Sequence, residues 1–179
     1  VVCGCGGGQA VRTVLPAVLQ RAQALVLDAD ALNIISTDGA LQQALTARSA
    51  RQHPTVLTPH PLEAARLLHT TSAQVQAHRL MAARELAKKF QCTVTLKGSG
   101  TVIAHRDDIP HINPTGNGSL ATAGTGDVLA GLIGAGLAAG MTPLQAALRA
   151  VFAHGEAADA WPLDEPLTAG ALARRIKIG

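Results

Sequence analysis

The stretch Asn113-Pro-Thr-Gly-Asn-Gly-Ser-Leu-Ala-Thr-Ala-Gly-Thr-Gly-Asp127 constrains this chain more than any other segment. It is built of small, turn-forming residues, ends in one carboxylate, and runs straight into an apolar segment, Val128 to Ala139. Glycine and threonine pressed against the start of a helix form an anion site. The first backbone N–H groups have no partner within the helix, and the aligned peptide dipoles leave positive charge there. A carboxylate at the edge of such a site can take the proton of a hydroxyl that attacks a phosphate. Asp127 thus has two readings. One is a helix cap worth about 1 kcal/mol; the other is a general base holding a hydroxyl in line with a bound phosphate. Capping alone does not account for Gly124, Thr125 and Gly126 before it.

Composition narrows the class. With 179 residues, 47% apolar and only 15% charged, the chain suits a single domain over residues 1–179 with a substantial core. Its aromatic residues are Phe90, Phe152 and Trp161, too few to stack nucleic-acid bases, and 15 basic against 12 acidic residues form no basic stripe. No nucleic-acid partner is expected. The odd set Cys3, Cys5 and Cys92 has neither disulfide-framework nor zinc-finger spacing. The 128–139 run is too short and too rich in Gly and Ala to span a membrane, and no signal peptide is visible, so a soluble cytoplasmic protein is expected. The chain opens directly on a strand and a glycine loop, without Met, which suggests that part of the fold lies upstream.

Periodicity predicts strands at 1–3, 24–28 and 55–58, and helices at 9–22, from Thr37 or Asp38 to Leu45, and at 62–68 behind Pro61. Ser72 is expected to cap a helix over 73–90. Thr93–Lys97 and Thr101–His105 read as a hairpin across Gly98-Ser99-Gly100. Helices follow at 128–139, at 143–160 behind Thr142, and at 169–176 behind Thr168. Gly131, Gly134 and Gly136 weaken the first of these and suggest close approach to a neighbouring backbone. Alternating strands and helices imply a mostly parallel α/β sheet with one local hairpin.

Residues at the carboxyl ends of parallel strands line ligand crevices. His60 in Thr58-Pro-His-Pro-Leu-Glu63 stands at such an end, or merely finishes a strand in solvent. Glu63 falls in the first helical turn, where a carboxylate is favoured, and is also placed to hold a hydrated Mg²⁺. Asp28, Asp30 and Asn33 read as the close of an extended segment, with both carboxylates on one face. Gly4, Gly6 and Gly8 let backbone approach a ligand. Lys97 and Ser99 can reach a nucleotide phosphate with Thr101 beside it, although the segment is not a P-loop.

In this order the segments resemble the ADP/ATP-dependent NAD(P)H-hydrate dehydratases, carbohydrate-kinase-like domains of the ribokinase superfamily. The resemblance runs from Val1 to about Thr168, and the 58–63 and 113–127 segments are its most specific parts. It implies a ribokinase-like fold and repair of hydrated NADH or NADPH, with ADP or ATP and Mg²⁺. It implies Asp127 as the base, and Gly8, His60, Asp30, Asn33 and Asp127 at the hydrated dinucleotide. Lys97, Gly98, Ser99, Gly100, Thr101, Asn117, Gly124, Thr125 and Gly126 would hold the adenine nucleotide, and Glu63 would organise Mg²⁺ through water. A homo-oligomer, a tetramer in the family, is implied as well. The chain departs from the family pattern at Gly4-Cys-Gly-Gly-Gly8, where Gly-Pro-Gly-Leu-Gly is common, at Leu62, where Gly is usual, and at Gly118-Ser119, where Pro-Gly is usual. None of these removes a charged group. Two other readings stand beside this one: a kinase of a vitamin precursor or sugar on the same fold, and an inactive nucleotide-binding fragment.

Overall fold

Four short apolar runs form parallel strands: β1 (Val2–Cys3), β2 (Leu25–Leu27), β3 (Thr55–Leu57) and β4 (Thr93–Leu96). The computed structural model describes residues 1–106 and 108–176. The strands lie side by side in sequence order, followed by β5 (Val102–His105) and β6 (His111–Ile112), both antiparallel to their predecessor. Side chains alternate across the pleat, so Leu25 and Leu27 enter one core while Val26 enters the other. Both faces are therefore covered, as a parallel sheet requires.

Sequential parallel strands with right-handed crossovers place every connecting helix on one face. That layer holds α1 (Val11–Arg21), α2 (Ala29–Ser36), α3 (Gly39–Ala50), α4 (Pro61–Leu68), α5 (Ser72–Ala77) and α6 (Arg79–Phe90), whose buried side chains pack with those of β2 to β5. After the hairpin the chain passes to the other face and forms α7 (Thr125–Ala138) and α8 (Pro143–Asp159) over Val26, Val56 and Ile103. A last helix, α9 (Ala169–Arg175), packs Leu172 with Trp161 and Leu167. Among the described residues, no helix is long and apolar enough to cross a membrane.

The expected ribokinase-like sheet and its hairpin are present, and Asp38, Thr142 and Thr168 cap their helices through side-chain oxygens. Four details differ. The 28–33 segment is no extended stretch beyond Asp28: helix α2 starts at Ala29, because Ala31, Leu32 and Ile35 share one face buried in the core. The predicted 73–90 helix is capped by Thr71 instead and breaks at His78, whose φ of −132° is not helical. Helix α7 begins at Thr125, three residues early, behind Gly124 in the left-handed region (φ 85°). Of its three glycines, Gly134 and Gly136 lie against Val2 and Ala146, where a Cβ would come within 2.6 and 3.0 Å, while Gly131 faces open space.

Candidate active site

The ends of β1, β2, β3 and β4 all face the same edge of the sheet, and each delivers one part of the site. After β1, the loop from Gly4 to Gly8 drapes over the start of α2. The Asp30 N–H donates to the Gly4 carbonyl (3.3 Å) and the Gly8 N–H to Asp30 Oδ2 (2.7 Å). After β2 comes Asp28, only 1% exposed. After β4 comes Lys97, whose Nζ meets Asp28 Oδ1 at 2.7 Å and whose N–H donates to the Pro59 carbonyl behind β3 (2.9 Å). A buried carboxylate needs such a partner, since an isolated charge out of water is very costly.

Asp127 stands over this pair. It lies in the first turn of α7 with an exposed side chain and makes no capping bond, so the cap reading does not describe it. Its carboxylate, that of Asp28 and the Cys5 sulfur lie within 4.8 Å of one another. Burial pushes the Cys5 thiol up to about 12, and the charges of Asp28 and Asp127 push the same way. The thiol is therefore protonated at neutral pH, a weak donor between two acceptors. A Cβ on Gly126 would sit 3.4 Å from Lys97 Nζ, which shows how closely the positive end of α7 overlies the lysine. Two cationic features and an exposed carboxylate meet at one point, as expected of a site that handles phosphate and a proton together.

His60 and Glu63 form a reciprocal cap for α4. His60 Nδ1 accepts from the N–H groups of Leu62 (3.1 Å) and Glu63 (3.4 Å), and Glu63 Oε2 accepts from the His60 N–H (2.8 Å). An accepting Nδ1 leaves the proton on Nε2, which faces Glu63 Oε1 at 3.2 Å. Burial raises the Glu63 carboxyl above its ordinary range, against the pull of the His60 N–H and of Lys97. Both Glu63 oxygens are thus turned to His60.

A cavity of about 700 Å³ opens beside Lys97. Eight of the nine predicted nucleotide residues line it: the hairpin tip from Lys97 to Thr101, with Asn117, Thr125 and Gly126. Gly124 is not in the lining; its role is the left-handed start of α7. A second cavity of about 630 Å³ contains Gly8, Asp30 and Asn33, together with Arg12, Arg66 and His69. The predicted substrate residues are thus split between this cavity and Asp127, and His60 lines neither.

Four supporting residues were not anticipated. Asp159 holds the loop over the first cavity, accepting from Gly116 N–H (2.7 Å) and Asn117 Nδ2 (3.1 Å). His154, 7% exposed on α8, faces the cavity with Nε2 2.9 Å from the Thr125 carbonyl, and burial lowers its pKa. Cys5, which the sequence marks only as a cysteine without disulfide-framework or zinc-finger spacing, lies between the Asp28 and Asp127 carboxylates. Arg79 donates to the carbonyls of Leu96 (3.1 Å), Lys97 (3.4 Å) and Gly100 (3.3 Å), clamping the hairpin tip. Each is isolated in sequence from the segment it supports, so no local pattern marks it. Arg79→Ala is expected to weaken binding of a nucleotide at the hairpin tip roughly tenfold, since charge-assisted bonds contribute about 1.5–3 kcal/mol. Calorimetric titration with ADP as the probe checks this; an unchanged affinity would make the clamp irrelevant to nucleotide binding.

Comparison with known proteins agrees with this geometry. Residues 1–177 match the family described as NAD(P)H-hydrate dehydratase. The ADP-dependent (S)-NAD(P)H-hydrate dehydratase of Neisseria meningitidis is 46% identical over 178 residues, 98% of this chain and 59% of that protein. The crystal structure of the ADP/ATP-dependent NAD(P)H-hydrate dehydratase from Bacillus subtilis, co-crystallized with ATP/Mg²⁺, superposes with a TM-score of 0.82 and 35% identity, covering 97% of this chain and 60% of that one. A ribokinase-like superfamily protein of Enterococcus faecalis shares the fold with a TM-score of 0.61 and 26% identity, over 93% of this chain and 66% of that one. The chain thus spans about three fifths of the length of the two dehydratases. With the family matched over nearly every residue and the carboxyl-edge site assembled, the chain belongs to the NAD(P)H-hydrate dehydratases, on the ribokinase-like fold.

Proposed function

We propose that the protein restores NADH or NADPH from the hydrated form, driven by ADP or ATP. The observation that carries this reading is the exposed Asp127 carboxylate beside the Lys97–Asp28 pair, on the helix whose first residues line the nucleotide cavity. Asp127 accepts the proton of the ring hydroxyl, and the hydroxyl oxygen forms a bond to the terminal phosphorus. The bond from that phosphorus to the bridging oxygen breaks, so ADP leaves as AMP, or ATP as ADP. The C–O bond to the new phosphate then breaks and its electron pair leaves with phosphate. The ring nitrogen supplies the compensating pair, and loss of a proton from the adjacent carbon re-forms the double bond. Hydrated NADH and ADP thereby yield NADH, AMP and phosphate. Lys97 and the N–H groups at the start of α7 stabilise the charge that builds on the transferred group.

Mg²⁺ does not suit the cluster of Asp28, Asp127 and the Cys5 sulfur, since Lys97 already pairs Asp28 and a thiol is a soft donor, and it would instead be organised by Glu63 through water. When bound with the nucleotide it would neutralise phosphate charge. Two further expectations accompany the reading. Three free cysteines suit a cytoplasmic location. A homo-oligomer is suggested by exposed Ile112 and Phe152, which share a groove of about 470 Å³ beside β6; light scattering in solution tests it.

Incubating the purified protein with hydrated NADH and ADP should return NADH, AMP and phosphate in equal amounts. Transfer of phosphate to another alcohol, with no NADH recovered, would identify a small-molecule kinase instead. Nucleotide binding with no phosphate released would identify an inactive nucleotide-binding fragment.

A further inference from the structure

The reaction proposed above requires two nucleotides at once, the phosphoryl donor and a dinucleotide that brings its own adenosine and phosphates. The cavity beside Lys97 serves the donor. The cavity of about 630 Å³ at Gly8 lies at the same edge of the sheet and joins the reacting centre through the glycine loop. Cys5 belongs to the Asp127 cluster and Gly8 to the cavity wall, three residues apart. At no more than roughly 3.6 Å per residue, their Cα atoms are within about 11 Å. A dinucleotide with its nicotinamide at Asp127 therefore spans the distance.

The charges in this second cavity favour an anion. Its one carboxylate, Asp30, is occupied by the Gly8 N–H at 2.7 Å, which also fixes the loop against α2. Against it stand Arg12, Arg66 and His69. Arg66 donates to the amide oxygen of Asn33 at 2.6 Å, an uncharged acceptor that aims the guanidinium without neutralising it. Arg12 meets Asp38 only at 3.7 Å, with the two side chains 51% and 32% exposed, and such a loose surface pair is worth little. Two guanidinium groups with donors to spare match the oxygens of a phosphate.

We infer that Arg12 and Arg66 bind a phosphate of the substrate's adenosine half in this cavity, and so select among hydrated nicotinamide nucleotides. The inference rests on the dehydratase reading for its substrate, but its test does not need turnover. NADP⁺ and NAD⁺ are titrated calorimetrically into the protein saturated with ADP, so that the other cavity is filled. NADP⁺ should bind alongside ADP, and Arg66→Ala and Arg12→Ala should each weaken it about tenfold or more without changing ADP affinity. Arg66→Lys should recover part of the loss. A loss confined to NADP⁺ assigns the 2′-phosphate; an equal loss for NAD⁺ assigns the pyrophosphate. Competition between NADP⁺ and ADP, or unchanged NADP⁺ affinity in both alanine variants, overturns the inference. In turnover, the variants should raise the KM for hydrated NADPH while leaving that for the hydrated reduced mononucleotide, which has no adenosine half, unaltered. Should the wild-type protein dehydrate nothing, the dehydratase reading fails while the calorimetric result on the cavity stands.

Discussion

Asp127→Asn should lower kcat by about 10²–10⁴-fold while leaving ADP affinity at its wild-type value. That range corresponds to roughly 2.7–5.5 kcal/mol of lost transition-state stabilisation. Asparagine has nearly the same shape and keeps the first turn of α7 in place, since Asp127 makes no capping bond there. What it removes is the ability to accept a proton. No neighbour can replace that function: Asp28 is buried and bound to Lys97, and the Cys5 thiol holds its own proton. ADP binding should survive, because the hairpin tip, Asn117 and the start of α7 are untouched. Single-turnover kinetics with hydrated NADH, paired with calorimetric ADP titration, separate the two effects. Near-normal turnover would reduce Asp127 to a first-turn carboxylate favoured only by the helix dipole.

The way this site is distributed explains how much of it could be read from sequence. Strand ends are local signals: apolar runs broken by glycine or proline placed Gly8, Asp28, His60 and Lys97 near strand ends without reference to the fold. A parallel sheet then brings those ends to one edge, so assigning the strands was enough to bring these four residues to that edge. The 28–33 segment reads as extended because Asp28 precedes the helix and Asp30 and Asn33 interrupt the apolar pattern of its eight residues, too few to show their period. The capping box of His60 and Glu63 was half visible, since histidine is an unusual cap and its Nδ1 takes the place of a side-chain oxygen. Arg79 and Asp159 were beyond reach. They act on carbonyls and N–H groups roughly 20 to 40 positions away, and only the packing of α6 on β4 and of α8 on the 113–118 loop brings them there. Charge in the second cavity was equally hidden, because Arg12 and Arg66 lie on different helices and meet only once α1 and α4 flank α2.

The largest stability effect is expected at Gly4, which ties the glycine loop to the buried half of the ion pair. Its φ is +117°, and a Cβ would lie 1.9 Å from the Asp28 carbonyl oxygen and 2.9 Å from both the nitrogen and the Cβ of Ala31. Two of these are backbone atoms at the start of α2 and the third is a Cβ with no rotamer to escape into, so nothing can swing aside. Gly4→Ala must move the loop or the helix start, and either displaces Asp28 from Lys97. The expected cost is on the order of 4 kcal/mol, a fall in Tm of roughly 10 °C for a chain of this length, with turnover lost in proportion. Gly6 provides the internal comparison. It also has positive φ, +62°, yet a Cβ there meets nothing within 4 Å. Gly6→Ala therefore carries only the left-handed backbone penalty, about 1–2 kcal/mol, and should melt a few degrees below wild type with most activity retained. Thermal melts of the two variants side by side decide whether contact with α2, rather than glycine conformation as such, holds the loop. Equal losses would show that Gly4 needs only its φ, and that the loop can part from Asp28 without harm to the site.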